Sequence, residues 1–302
     1  MLWIAGGYPA APTDDPAAAH RFTDLLLAGA DGLELNHGPD GLDPDVARAA
    51  AATGTHVVTT VPLAAVRAGA DPAWGLASPD ENGRRAALTA ADEVRRSVAA
   101  LVDAAGRPAV AAVEFHSAPG MTDRALTGDP EALTSSLAEL GGWDWSGARV
   151  LIEHCDRRGG VAPQKGFLSL DEELSALGED GGLVVNWARS AIEDRDPDAV
   201  PGQVARAGDR LAGLIFSGVA EQVVDAMPPW ADAHLSTHEQ DQVSLLTHQR
   251  IDATVAAVTG EPDFVGVKVR RRPTDESADD LAAGVLAALD QVRQAWRLRT
   301  QR

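Results

Sequence analysis

Short apolar runs alternate with longer stretches of helical periodicity along the whole chain, and this alternation predicts the architecture. Leu2–Ala5 reads as a strand, and the stretch from Pro16 reads as a helix. Gly32–Asn36 follows as a strand, then an alanine-rich helix through Asp45–Ala52. His56–Val61 is a β-branched run, and a long helical region that includes Glu93–Ala104 comes after it. Ala109–His116 is the fourth strand candidate, with a helix at Pro130–Leu140. Arg149–Cys155, Leu183–Trp187, Leu211–Ser217 and Phe264–Val269 supply four more strands.

Eight strands, each followed by helical pattern, argue for parallel strands joined by crossover helices. Eight such units in 302 residues is the count of a (β/α)₈ TIM barrel. An open doubly wound sheet would carry a glycine-rich phosphate turn after an early strand. Gly6-Gly7 follows the first strand, but no G-x-G-x-x-G is present there. No linker composition interrupts the pattern, so residues 1–302 are expected to form a single domain. The segments Pro72–Asn82, Glu193–Pro201 and Val219–Gln240 are expected to be loops between a strand and the next helix, on the face where barrels carry active sites.

Composition narrows the partners. Net charge is −19, from 45 acidic against 26 basic residues. Such a field repels phosphate backbones and anionic membranes, which argues against nucleic acid and lipid. Cys155 is the one cysteine, so an intramolecular disulfide and a thiolate-rich zinc site are excluded. The N-terminus lacks the basic lead of a signal peptide, and no apolar run approaches the roughly 20 residues that span a bilayer. The expected location is the cytoplasm, and barrels of this kind often self-associate.

Candidate chemistry gathers at the strand ends. Alternation puts Glu34 and Asn36 on one face of the second strand, and Ala112, Glu114 and His116 on one face of the fourth. The outer face of a barrel strand packs on helices and should be apolar, so these polar groups are assigned to the interior mouth. The fifth strand ends Glu153-His154-Cys155-Asp156, a dense run of carboxylate and imidazole groups suited to a divalent metal. Here Glu153 pairs in direction with Cys155, and His154 with Asp156; His154 can equally pack between strand and helix with its ring hydrogen-bonded. After the sixth strand, Asn186 can ligate a metal or orient a hydroxyl. Arg189 can clamp an anionic substituent or staple its loop to Glu193. Asp232 and His234 form a further candidate ligand pair, with His238 following. Lys268 ends the eighth strand, with Arg270 on the same face, and can act as an acid–base group, an electrophile or a counter-ion. There is no G-x-S-x-G elbow, Walker loop or H-E-x-x-H helix.

The segments Ile152–Asp156, Lys165–Phe167, Asn186–Glu193, Phe216–Gly218 and Asp232–His234 make the chain resemble the xylose-isomerase-like TIM-barrel superfamily. More narrowly, it is similar to a bacterial domain-of-unknown-function family within it. The resemblance implies sugar isomerase or epimerase chemistry with one divalent metal (Mn, Mg, Co or Zn). Relatives of this kind hold the ion through a Glu after the fifth strand, an Asp after the sixth, a His near the seventh and a Glu after the eighth. Carried over, Glu153 matches the first, Asn186 stands in the second place, and His234 with Asp232 approximates the third. Lys268 replaces the fourth, and an ammonium is no metal ligand. Glu114, His116, Glu153 and His234 are an alternative ligand set.

The implied enzyme moves a proton next to the carbonyl of a small polyol, keto-sugar or sugar phosphate. Glu153 would be ligand or base, Glu114 and His116 a proton-transfer pair, and Arg189 an anchor, with Glu34, Asn36 and Asn186 binding substrate. Two alternatives stand beside it: a metal-independent acid–base lyase or epimerase using Lys268 and Glu153, and a degenerate barrel that binds a sugar without converting it.

Overall fold

The computed structural model describes residues 1–120, 126–161 and 164–299. Its elements run β1 (Leu2–Gly6), α1 (Pro16–Gly29), β2 (Gly32–Asn36), α2 (Pro44–Ala52), β3 (His56–Thr59), α3 (Val61–Ala70), α4 (Glu81–Ala105), β4 (Val110–Phe115) and α5 (Pro130–Gly141). They continue through β5 (Arg149–Glu153), α6 (Leu170–Ala176), β6 (Gly182–Asn186), α7 (Trp187–Asp194), α8 (Val200–Ala207), β7 (Leu211–Phe216), α9 (His248–Ala256), β8 (Phe264–Lys268) and α10 (Ala278–Arg299). The eight strands are parallel and close in sequence order, β1 pairing with both β2 and β8. The expected (β/α)₈ TIM barrel is the fold.

Local chemistry starts many of the helices. Asp15, Asp43 and Asp129 each cap a helix whose first residue is proline, their carboxylates accepting backbone N–H groups of the first turn. Ser169 and Glu172 form a reciprocal capping box on α6. The same signals correct three expectations. The third strand stops at Thr59, because Val61 and Pro62 already open α3. Residues 71–80 therefore join two helices, α3 and α4, rather than a strand and a helix. Likewise Glu193 lies inside α7, so the stretch to Pro201 links α7 and α8. Only the long connection after β7 is a strand-to-helix loop as expected, reaching α9 without helix or strand.

Alternation along each strand divides the barrel into two layers. Leu2, Ile4, Val57, Ala112, Leu151, Val184, Ala212, Ile215 and Phe264 pack into an apolar plug that fills the lower interior. A much larger apolar cluster joins the outer strand faces to the helices. Two or four residues further along the same strand faces the plug gives way to polar groups. The plug closes the floor, so any chemistry in the barrel is confined to its C-terminal mouth. Among the described residues no helix is long and apolar enough to cross a membrane.

Candidate active site

The polar layer above the plug is built by strand ends. Glu34 comes from β2, Thr59 from β3, Glu114 from β4, Glu153 from β5, Asn186 from β6 and Lys268 from β8, with His116 just past β4. Arg189 reaches in from the first turn of α7, where Asn186 caps the helix. Glu34, Glu114, His116, Glu153, Asn186, Arg189 and Lys268 are all buried, none more than 3% exposed.

Glu153 is the hub. Its Oε2 lies 2.9 Å from His116 Nε2 and accepts from Thr59 Oγ1 at 3.5 Å. Its Oε1 accepts from Asn186 Nδ2 at 3.2 Å and makes ion contacts with Arg189 Nη1 at 2.6 Å and Lys268 Nζ at 3.5 Å. Lys268 Nζ also sits 2.5 Å from Glu34 Oε1, an ion contact whose angles miss hydrogen-bond geometry. Ser217, at the end of β7, donates to Asn186 Oδ1. The oxygens of Glu34 and of Glu114 are all buried without a hydrogen-bond partner among the described residues, and Glu114 also lacks the ion contact that Lys268 gives Glu34.

This packing sets the charges. Burial alone would raise the pKa of Glu153, but Arg189 and Lys268 outweigh it and hold the carboxyl well below its usual range. Burial likewise works against the Lys268 ammonium, and Glu153 and Glu34 more than offset it, holding the pKa well above the usual lysine value. Glu34 and Glu114 go the other way: burial, with repulsion from Glu153, lifts both, Glu114 the more strongly. Burial also lowers His116 to about 4 despite its carboxylate neighbour. A neutral imidazole there donates its Nε2 proton to Glu153. The layer thus combines one firm carboxylate, two firm cations and two carboxyls that hold protons at higher pH than usual.

Gly6 makes room for it. A Cβ at this position would lie 2.5 Å from Glu34 Oε2 and 2.6 Å from the Val267 carbonyl oxygen. Gly6→Ala is therefore expected to displace Glu34 and to cost about 1–3 kcal/mol through overpacking, read as a shift in the urea midpoint.

A second polar shell closes the mouth. The Asp232 carboxylate, on the long loop after β7, takes Lys165 Nζ at 2.9 Å and Arg189 Nε at 3.1 Å, with His234 Nδ1 at 3.3 Å. Gln164 ties the same two loops by donating to the Trp230 carbonyl and accepting from the Asp232 N–H. Asp156 anchors the β5–α6 loop through the backbone N–H of Lys165 and that of Gln164. Burial lowers the His234 pKa to about 4, while Lys165, His234 and Arg189 overcome burial to hold Asp232 well below the usual range. A cavity of about 670 Å³, lined by Tyr8, Glu34, Asn36, Phe22 and Leu42 among others, reaches the layer from the β1 and β2 side. Asn36 Oδ1 is buried there without a hydrogen-bond partner among the described residues.

His154 faces the other way. Its Nδ1 lies 2.6 Å from Glu173 and its Nε2 2.7 Å from Glu193, so it is wedged between the barrel and helices α6 and α7. Burial alone would depress its pKa, but the two carboxylates push it up to about 10. Ser117 donates to Glu173, and Arg157 pairs with Glu193. Arg189 is thus bound to Glu153 and Asp232 rather than to Glu193. His238 bonds the Ser244 carbonyl within its own loop, and Arg270 pairs with Asp225. Burial lifts the Cys155 thiol to about 12. Glu173 was open to sequence reasoning, since Leu170, Glu173 and Ala176 share the buried stripe of α6. Tyr8 and Thr59 gave no such signal; Thr59 enters because β3 sets it opposite Glu114.

By distance, Glu34, Glu114 and Glu153 could hold a metal ion, their nearest oxygens all lying within 4.8 Å of one another. The donors fit a dication in type and spacing. The cations among them do not, because Lys268 and Arg189 already take the Glu34 and Glu153 oxygens that an ion would need. The ligand set expected from sequence, Glu153 with Asp232 and His234, is not such a group among the described residues. The reason is physical: the Arg189 guanidinium bridges Glu153 and Asp232 and keeps them apart.

The family described as Domain of unknown function (DUF4862) matches residues 4–282, and the chain belongs to it. It is 30% identical over 279 residues to the uncharacterized protein STM3670 of Salmonella typhimurium LT2, covering 88% of this chain and 89% of that one. Among solved structures, an L-ribulose 3-epimerase superposes with a TM-score of 0.63 at 14% identity, covering 99% of this chain and 97% of the other. D-psicose 3-epimerase from Clostridium cellulolyticum H10, with D-tagatose, gives 0.62 at 16% identity over 98% and 99%. IolI protein with a bound zinc atom gives 0.62 at 12% over 100% and 99%. These likenesses show the (β/α)₈ barrel fold, shared with structures that include sugar epimerases.

Proposed function

We propose that this member of the DUF4862 family is an isomerase or epimerase that moves a proton next to the carbonyl of a small keto-sugar, polyol or sugar phosphate. The observation that carries the reading is Glu114, a buried carboxyl with both oxygens unpartnered, set beside a fixed pair of cations at the barrel mouth. A raised carboxyl pKa suits a group that must both take and return a proton near neutral pH. Glu114 takes the proton from the carbon beside the carbonyl, and negative charge grows on the carbonyl oxygen. Lys268 and Arg189, already oriented by Glu153, receive that charge without reorganising. Return of a proton to the other face of the same carbon, from Glu34 as the second raised carboxyl, gives an epimer. Return to the former carbonyl carbon, with the proton of the neighbouring hydroxyl passing to the former carbonyl oxygen, gives an isomer.

In this scheme Glu153 is an anchor for the cations and His116 rather than the base. Asn36 and Tyr8 line the cavity that reaches Glu34 and supply substrate contacts. Glu34, Glu114 and Glu153 are close enough to hold a divalent ion, but Lys268 and Arg189 take the Glu34 and Glu153 oxygens it would need, so the proposed reaction draws its positive charge from those two side chains.

The test is solvent deuterium exchange followed by proton NMR over a panel of ketoses and ketose phosphates. Loss of the signal from the C–H beside the carbonyl on at least one sugar is expected. Absence of exchange and of product across the panel, with and without added divalent metal, would sink the reading and favour a sugar-binding barrel.

A further inference from the structure

We propose that Lys268 is the resident cation of this site, and that Lys268 and a divalent metal ion are mutually exclusive occupants of the carboxylate cluster. The inference takes only the location of the site from the proposed function. Lys268 Nζ lies 2.5 Å from Glu34 and 3.5 Å from Glu153, between two of the three carboxylates that could hold an ion. The third contact comes from Arg189, 2.6 Å from the same Glu153 oxygen that Asn186 also reaches. Glu153 therefore has both oxygens engaged, one by His116 and Thr59 and the other by Asn186, Arg189 and Lys268.

Charge leads to the same result. Three carboxylates against Lys268 and Arg189 leave one negative charge at most, and a dication added to that set would leave a net positive charge among buried groups. Without Lys268 the remaining groups carry two negative charges, which a dication balances. The ammonium has no alternative site to retreat to. Lys268 is fully buried, its strand is hydrogen-bonded on both sides, and the Tyr8 ring covers the ammonium at 5.7 Å. The consequence for chemistry is that the positive charge facing the substrate belongs to the chain itself.

The experiment is a titration of chelator-treated protein with Mn²⁺ and with Zn²⁺, by calorimetry and by thermal shift, on wild type and Lys268→Met. The expected result is no saturable binding in the wild type that depends on Glu114. The variant should gain a single site at least about 100-fold tighter, because a repelling charge within about 4 Å has been removed. The metal should also raise the melting temperature of Lys268→Met and not that of the wild type. Lys268→Gln is the second variant in case the methionine form does not fold. Two results would overturn the proposal without needing any variant of Lys268. One is stoichiometric divalent metal in wild type purified without chelator. The other is saturable wild-type binding that Glu114→Gln abolishes. Neither readout involves a sugar, so the proposal and the proposed reaction fail separately.

Discussion

Replacing His154 with leucine is expected to cost about 3–5 kcal/mol of folding stability, because it strands Glu173 and Glu193 without the cation between them. Both of their contacts to His154 are under 2.8 Å, and His154 and Glu173 are fully buried. His154→Gln retains polar contact with the site and isolates the charge; it should lose less than the leucine variant but remain destabilised. The pH dependence has a definite sign. A histidine raised from 6.5 to about 10 contributes its full stabilisation below about 6.5 and loses it as pH climbs toward 10. Wild-type stability from urea unfolding should therefore fall over that window, and the slope should be shallower in His154→Gln. A leucine variant within about 1 kcal/mol of wild type would show that the imidazolium is not what holds α6 and α7 to the barrel.

Glu114→Gln is expected to reduce deuterium exchange by about 10²–10⁴-fold, the usual contribution of a positioned acid–base group. Stability should move in the opposite direction. Burial, with Glu153 and Glu34 nearby, raises the Glu114 pKa, so the folded protein resists an ionisation that the unfolded chain undergoes freely above about 4.5. Glutamine removes that penalty, and the variant should be at least as stable as wild type at pH 7. Loss of turnover with retained or improved melting temperature marks a residue kept for chemistry at the expense of stability. Equal turnover in the variant would transfer the proton-moving role to Glu34.

How far the sequence carried the argument can be judged from these same residues. Eight strand–helix repeats were readable because hydrophobic period is a local property, and closure in sequence order follows from the handedness of parallel crossovers. Alternation also put Glu114 and His116 inside and set Glu34 on one face with Asn36, but on the fifth strand it left open whether Glu153 or His154 faces the interior. Element ends were less readable: Thr60-Val61-Pro62 continues the β-branched pattern of a strand, yet the proline begins a helix. Two assigned loops turned out to join helices, since an Asp- and Pro-rich stretch marks a helix start without saying what precedes it.

The sequence by itself determined that this chain is a (β/α)₈ barrel with carboxylates, an amide and a lysine at its mouth. Tertiary structure decided what those groups are to one another. Glu34 and Lys268 meet only because β2 and β8 both flank β1, and Arg189 comes between Glu153 and Asp232 only because α7 starts directly on β6. His154 became a structural cation when two helices each brought a carboxylate to its ring. The reason is the same in each case. Side-chain direction is written in local periodicity, whereas charge state depends on which groups lose water together, and that is settled only when the barrel closes.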